Sequence, residues 1–242
     1  MQEVYLYQTV HILGGRSLHL TAHLAVLDRW SRELFGRPAG FRQQPLARQI
    51  EALAAQTAPA DCDLSQFVRI VVPASGDPAF RLESEGISLY RGYDLRSLMP
   101  DAATLQYDMP FPEAPTSARE AAAGLARQQA RLHGASVAVR CDGDGIVRTA
   151  DDAPLFAVRG KTAFVSPAEA CVERELGLRA VEAAGLELEE RPVMRGELPG
   201  FDELFFADHR GVTSLSRCDG LPLMTFVAER IAEAMEGLFQ KK

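Results

Sequence analysis

The chain has 242 residues, of which 47% are hydrophobic and 24% charged, and its formal net charge is -7. An acidic chain without clustered lysine or arginine argues against a nucleic-acid partner, because phosphate backbones are bound largely by basic clusters. No apolar run approaches the roughly 20 residues that cross a bilayer, and the start lacks the basic residues of a secretory signal, so we expect a cytoplasmic protein without a membrane partner.

The first half of the chain is predicted to mix strands and helices, on the evidence of apolar spacing, capping residues and glycine turns. The predicted elements are a strand over 4–10, a turn at Gly14-Gly15 into a strand from Ser17, a helix over 22–35 capped by Thr21 and ended by Gly36, a helix over 44–56, a strand over 67–73, and one or two strands over 80–93.

Prolines are dense in the middle of the chain, at Pro100, Pro110, Pro112 and Pro115. Such a density favours an extended linker over regular structure. We therefore predict an N-terminal domain over 1–108, a linker over 109–116 and a C-terminal domain over 117–242.

The C-terminal part is predicted to be a hairpin-rich domain with three helices. The predicted elements are an alanine-rich helix over 117–133 ended by Gly134, strands over 139–165 joined by glycine turns, a helix over 167–184, strands over 186–193 and 204–207, and a closing helix over 222–239.

Cysteine and lysine usage limits the chemistry that the chain can perform. Cys62, Cys141, Cys171 and Cys218 show neither CxxC nor Cys/His spacing, so we expect no metal site and no disulfide framework. Lysine occurs only at 161, 241 and 242, so any role that needs a lysine can be checked residue by residue.

Several short motifs, in one order, carry a resemblance to a known family. The motifs are Tyr7-Gln8-Thr9-Val10, Leu20-Thr21-Ala22-His23, Arg69 in a strand, Gly145 in a hairpin, Arg174 in a helix, and Asp219-Gly220. In this order they resemble the class IV aminotransferases, the family of branched-chain and D-amino acid aminotransferases and aminodeoxychorismate lyases.

The resemblance implies an α/β (α+β) fold of fold type IV with two lobes. The N-terminal lobe would be a smaller α/β domain, and the C-terminal lobe a larger, mixed β-barrel-like domain with helices. It also implies pyridoxal phosphate (PLP) as cofactor, small amino acid or carboxylate ligands, and a homodimer.

Two of the family's cofactor contacts are replaced in the N-terminal part and the linker. The family's phosphate-binding arginine aligns with Val26, whereas Arg29 lies one turn further on and is expected on a solvated face. The family's Schiff-base lysine aligns with Pro115, and the neighbouring Thr116 and Ser117 cannot supply an amine either.

Two more contacts are replaced in the C-terminal domain. The carboxylate that pairs with the pyridine nitrogen aligns with Thr149, and a hydroxyl cannot hold the pyridinium proton as a glutamate does. The phosphate cup aligns with Cys171-Val172-Glu173 and with Asp208-His209-Arg210, which places Glu173 and Asp208 where the family holds a dianion. We therefore expect PLP to be absent or not covalently bound.

Three functions follow as alternatives. The first is a pseudoenzyme whose interdomain cleft binds a small carboxylate or a protein partner, with Arg69, Arg174, His209 and Arg210 as recognising residues. The second is a lysine-independent enzyme that uses His209 with Asp208 or Glu173 as acid and base. The third is an active PLP enzyme whose lysine comes from elsewhere, such as Lys161. The identity of the catalytic residues stays open at this stage.

Overall fold

The computed structural model describes residues 3–57 and 64–240, so Cys62, Lys241 and Lys242 lie outside the described part. The chain forms two compact units. The first contains the described residues up to Gly92 together with Glu113–Glu120, and the second contains Tyr93–Pro112 and the described residues from Ala121 onward. No helix in the described ranges has the length and apolar character needed to span a bilayer.

The first unit is an antiparallel sheet with two helices. Its elements are β1 (Tyr5–Leu13), β2 (Arg16–Ser17), α1 (Leu20–Phe35), α2 (Gln43–Thr57), β3 (Ser65–Pro73) and β4 (Arg81–Ser88). The strand order is β2-β1-β3-β4. Alternate residues of β1 and β3 turn inward, and Leu24 and Leu27 of α1 join them in one buried cluster.

Helix α1 begins earlier than Thr21 predicts. Its N-cap is His19, whose left-handed backbone (φ 51°) turns the chain so that the His19 carbonyl accepts from the Ala22 and His23 N–H groups. Gly36 ends the helix in the left-handed region, as predicted from the general preference for glycine there.

The second unit contains a large mixed sheet and three helices. Its elements are β5 (Asp101–Gln106), α3 (Ser117–Leu132, whose first four residues are counted with the first unit), β6 (Val137–Cys141), β7 (Val147–Ala150), β8 (Ala153–Arg159), β9 (Thr162–Val165), α4 (Val172–Ala183), β10 (Glu187–Glu190), a 3-10 helix (Arg195–Gly200), β11 (Glu203–Asp208), β12 (Gly211–Ser214), β13 (Arg217–Cys218), β14 (Leu221–Pro222) and α5 (Val227–Gln240).

These strands form one ten-stranded sheet. The main path runs β10-β9-β8-β7-β6-β5-β13-β14, and β11 pairs with both β8 and β12. Phe156 of β8 stacks on Phe205 of β11 with ring centroids 5.0 Å apart, and both rings are fully buried. Gly177 of α4 lies against the Phe156 ring, so helix and sheet meet closely there.

The proline-rich middle differs from its prediction. Residues 101–106 form β5 inside the large sheet, paired in parallel with β6 and β13, so 93–112 belong to the second unit rather than to the N-terminal domain and linker. The prolines at 100 and 110 lie outside the strand and leave its hydrogen bonds intact.

Two helices of the second unit start later than predicted. Helix α4 begins at Val172 rather than at 167, after an extended Cys171. Helix α5 begins at Val227 rather than at 222, because Pro222 pairs within β14 and the buried Glu203 carboxylate accepts the first N–H groups of the helix, from Val227 at 2.7 Å and Ala228 at 2.8 Å.

Candidate functional site

The position aligned with the family lysine is occupied by a buried proline in front of α3. The Pro115 carbonyl accepts a hydrogen bond from the Tyr7 N–H at 2.9 Å. The next residue, Thr116, accepts the Arg119 N–H on its Oγ1 at 3.1 Å and so caps α3. The Ser117 hydroxyl donates to the Glu3 carbonyl at 3.3 Å. These hydroxyls therefore serve the local backbone.

Helix α1 presents no cation at the position aligned with the phosphate arginine. Val26 is half-buried there. One turn earlier, His23 is buried and its Nδ1 lies 2.8 Å from Gln8 Oε1. One turn later, the Arg29 guanidinium lies over the Trp30 ring at 4.8 Å. Arg29 thus contacts an aromatic ring, where the sequence predicts a solvated face.

Thr149 lies on β7, opposite Arg140 of β6 and Pro154 of β8. Lys161 is the one lysine in the described part of the chain, and it is exposed in the turn after β8. Pro154 and Lys161 lie at opposite ends of that strand, roughly 20 Å apart at about 3.3 Å per residue. The Lys161 amine is therefore far from Thr149.

The turn between β11 and β12 contains Asp208, and its carboxylate is occupied on both oxygens. Oδ2 lies 3.1 Å from Arg96 Nη2, and Oδ1 accepts the Arg210 N–H at 2.8 Å. The Arg96 guanidinium is largely buried and also lies 5.6 Å from the centre of the Phe206 ring. Nothing in the sequence around Arg96 indicates this role.

The same turn is fixed against the segment that precedes β5. Gly211 has φ 123°, and a Cβ there would lie 2.5 Å from the Asp94 carbonyl oxygen. The Val212 N–H donates to that oxygen at 3.3 Å, and the Arg96 N–H donates to the Val212 carbonyl at 2.8 Å. Only glycine combines this backbone conformation with so close an approach.

The start of α4 is the other half of the aligned phosphate cup. Cys171 is the N-cap and makes no side-chain capping hydrogen bond, and Glu173 is half-buried in the first turn. Arg174 is 5% exposed and bonds through Nη2 to Glu190 Oε2 at 2.5 Å. No partner is found for the Arg174 Nε within the described residues.

Tyr93 is a buried residue whose backbone lies beside Gly211 of the β11–β12 turn. The side chain is fully buried, and this burial is the main reason why its pKa lies well above the ordinary value. The negative charges of Glu173, Asp208 and Glu236 raise the pKa further. Its N–H also donates to Glu236 Oε1 at 2.6 Å. The charges of Glu173 and Asp208 thus both act on this one buried phenol.

Arg69 belongs to the first unit and is engaged by two carboxylates. Its Nε lies 2.5 Å from Glu85 and its Nη2 lies 2.6 Å from Glu120. The guanidinium also lies 4.4 Å from the centre of the Tyr7 ring. Of the four residues predicted to recognise a carboxylate, Arg69 and Arg174 are thus ion-paired, His209 is half-buried and Arg210 is exposed.

Residues 3–57 and 64–240 contain no group of three or more His, Cys, Asp or Glu arranged to hold a metal ion.

Comparison with known families places most of the chain in one of them. The family described as amino-transferase class IV matches residues 5–208. No curated protein matches the chain.

Solved structures share the fold along nearly the whole chain. A branched-chain aminotransferase from the archaeon Thermoproteus uzoniensis, with norvaline, is 19% identical over 96% of this chain and 84% of its own, with a TM-score of 0.78. A putative branched-chain amino acid aminotransferase from Thermotoga maritima is 16% identical over 99% and 87%, with a TM-score of 0.81. An aminotransferase from Brucella abortus bound to PLP is 19% identical over 98% and 89%, with a TM-score of 0.77. The predicted two-lobed α/β architecture of fold type IV is confirmed.

Proposed function

Because the chain belongs to the class IV aminotransferase family, we propose that it keeps the fold of its relatives without lysine-based PLP chemistry and binds a small polar or anionic molecule non-covalently. The observation that carries the proposal is the residue at 115. A buried proline, bonded through its carbonyl to Tyr7, stands where the resemblance requires an amine. A Schiff base needs a primary amine, which neither proline nor the adjacent hydroxyls provide.

The remaining lysine in the described part supports the same conclusion. Lys161 is exposed and lies roughly 20 Å along β8 from the residue that pairs with Thr149. An amine at that end of the strand cannot act on a ring whose nitrogen lies at Thr149. Two independent positions, Pro115 and Lys161, thus support the absence of lysine-based chemistry.

The aligned phosphate cup is also a poor fit to the cofactor. A phosphate dianion placed there would meet Glu173 and Asp208, whose charges already act on the buried Tyr93. Two unit charges about 4 Å apart repel by on the order of 1 to 4 kcal/mol, depending on the local dielectric. Arg96 offsets the charge of Asp208 but is committed to that ion pair. We therefore derive no catalytic step through PLP.

Arg210 is the cation that we assign to ligand recognition. It is exposed in the β11–β12 turn, and its guanidinium has no side-chain partner among the described residues. Arg69 and Arg174, in contrast, are ion-paired with their own carboxylates. A planar guanidinium suits a carboxylate, which it can bind through two parallel hydrogen bonds.

The alternative of lysine-independent acid-base catalysis is less well supported. Of the two carboxylates that could act with His209, Asp208 is bonded on both oxygens, by Arg96 and by the Arg210 N–H. These contacts tie Asp208 to the turn, so an acid-base pair would have to use Glu173.

The first experiment tests the absence of lysine-based chemistry. The purified protein is titrated with PLP under a spectrophotometer, reduced with borohydride, and digested for mass spectrometry, beside Lys161→Ala. We expect no cofactor adduct on any lysine and the same spectra for both proteins. An adduct on Lys161 that disappears in Lys161→Ala, together with turnover of an amino acid, would contradict the proposal.

The second experiment tests recognition by Arg210. Amino acids, keto acids and chorismate-type compounds are screened by thermal shift with the wild type, Arg210→Gln and the control Arg179→Gln, whose arginine is exposed on α4 outside this turn. We expect at least one acid to stabilise the wild type and the control but not Arg210→Gln. Equal stabilisation of all three proteins would show that Arg210 is not the recognising residue.

A further inference from the structure

Two adjoining cavities of opposite character lie within the second unit. One, of about 410 Å³, is polar, and the residues with ionisable side chains among those that line it are Asp101, His133, Arg195, Arg217 and Asp219. The other, of about 260 Å³, is mostly apolar, with the side chains of Leu198, Pro199, Phe201, Leu221, Pro222 and Leu223 along it. Arg195 and Asp219 line both cavities, so the two adjoin at these residues and present a polar end and an apolar end.

The carboxylates at the polar end are held by protein donors. Asp219 accepts the Thr104 N–H at 2.8 Å on Oδ1 and the Thr104 hydroxyl at 2.6 Å on Oδ2. Asp101 accepts the Ser216 hydroxyl at 2.5 Å. Both acids therefore serve to fix β5 and the turn after β13.

The two arginines at the polar end, in contrast, have no hydrogen-bond acceptor for their guanidinium groups among the described residues. Arg195 Nη2 lies 4.0 Å from Asp219 Oδ2, too far for a hydrogen bond, and its side chain is 48% exposed. For the Arg217 guanidinium, no hydrogen bond or ion pair is found within the described ranges. The polar end thus offers two guanidinium groups to an incoming anion.

One short element connects the two ends. Arg195 opens the 3-10 helix and Leu198 follows three residues later, so the two side chains project from the same face of that helix. The Arg195 N–H donates to the Gly145 carbonyl at 2.8 Å, which anchors this end of the helix to the β6–β7 hairpin. A ligand with a charged head and an apolar tail matches this arrangement.

The space is separate from the position at which the resemblance places the pyridine ring. Thr149 pairs with Arg140, and Arg140 pairs with Leu105, so these three side chains share one face of the sheet. Thr104, the neighbour of Leu105, points to the opposite face and binds Asp219 there. Thr104 and Asp219, which line the polar cavity, therefore lie on the face of the sheet opposite to Thr149.

We propose that this site binds a short amphipathic carboxylate, with its carboxylate between Arg195 and Arg217 and its apolar chain among Leu198, Phe201 and Leu223. The apolar cavity is smaller than the roughly 300 to 1,000 Å³ of drug-sized sites, which suits a short chain or a single ring. This proposal goes beyond the proposed function and does not depend on it.

The experiment compares four probes by isothermal titration calorimetry on the full chain. The probes are acetate, butanoate, hexanoate and hexan-1-ol. The three acids differ in the length of the apolar tail, and hexan-1-ol replaces the carboxylate of hexanoate by a neutral hydroxyl. We expect affinity to rise by up to about fourfold for each added methylene, as for burial of apolar surface. Hexan-1-ol is expected to bind at least roughly tenfold more weakly than hexanoate, since its hydroxyl lacks the negative charge and the second oxygen of a carboxylate.

Two single variants separate this site from unspecific binding. Arg195→Gln is expected to weaken hexanoate by roughly ten- to hundredfold. Arg179→Gln, at an exposed arginine on α4 that lines neither cavity, is expected to leave it unchanged. Thermal unfolding of each variant verifies that it is folded. Absence of hexanoate binding to the wild type, equal affinity for hexan-1-ol, or full affinity in folded Arg195→Gln would each overturn the proposal.

Discussion

Replacing Gly177 by alanine tests how tightly α4 is packed on the large sheet. A Cβ at 177 would lie 2.5 Å from Phe156 Cζ and 2.8 Å from Cε2. The Phe156 ring is 0% exposed and stacks on Phe205, so it has no free space to move into. Overpacking of this kind costs about 1 to 3 kcal/mol, and the better helix propensity of alanine returns about 1 kcal/mol. We expect a net loss of up to about 2 kcal/mol.

Gly124 provides the matched control, because it is also inside a helix of the second unit. It is exposed on α3, and a Cβ there would meet nothing within 4 Å. The same substitution is therefore expected to stabilise the protein by about 0.5 to 1 kcal/mol. The two variants should differ in sign, with a gap of about 2 kcal/mol.

Urea unfolding followed by circular dichroism measures both variants, with the midpoint compared at unchanged slope. The double variant Gly177→Ala with Phe156→Leu adds a second readout, since a smaller side chain at 156 should remove part of the penalty at 177. A midpoint for Gly177→Ala equal to or above that of Gly124→Ala would refute the reasoning, because it would show that the Phe156 ring moves aside without a loss of stability.

Two further predictions concern titrating groups in the second unit. Burial opposes ionisation of Asp142, but hydrogen bonds from the Ile146 N–H and from Arg148 outweigh it and hold the pKa below its ordinary value. Asp142→Asn should therefore lose stability most at neutral pH, with a difference that shrinks as the pH falls through this lowered pKa, and a pH-independent difference in urea midpoints would contradict this. Burial raises the pKa of Cys141 to about 11 and that of Cys218 to about 12. At about pH 8, native-state alkylation followed by mass spectrometry should label the half-buried Cys171 well before these two thiols, and early labelling of Cys218 would show that its cover opens.

Local patterns predicted the elements whose stabilising contacts are close in the chain. Helix α1 was located to within two residues, since its buried leucines and Gly36 are local signals. Strand β5 was missed, because its sequence is short and flanked by prolines, and its partners β6 and β13 lie far along the chain. Long-range pairing of this kind leaves no trace in a local window.

Local signals and long-range contacts differ in the same way at the site. The resemblance indicated Glu173 and Asp208 as parts of one cup, and both charges act on Tyr93. Arg96, the ion partner of Asp208, could not be predicted, because the two residues are separated by 112 positions and no motif surrounds Arg96. Opposite charges far apart in sequence become partners only through the register of the strands between them.

The hydrogen bond between the Tyr7 N–H and the carbonyl at 115 uses main-chain atoms alone. Any amino acid at 115 carries that carbonyl, so lysine and proline can satisfy the same bond. This contact of the architecture is therefore independent of which side chain stands at 115, whereas the chemistry at that position is not. Pro115→Lys is therefore expected to keep this hydrogen bond while it places an amine at a buried position.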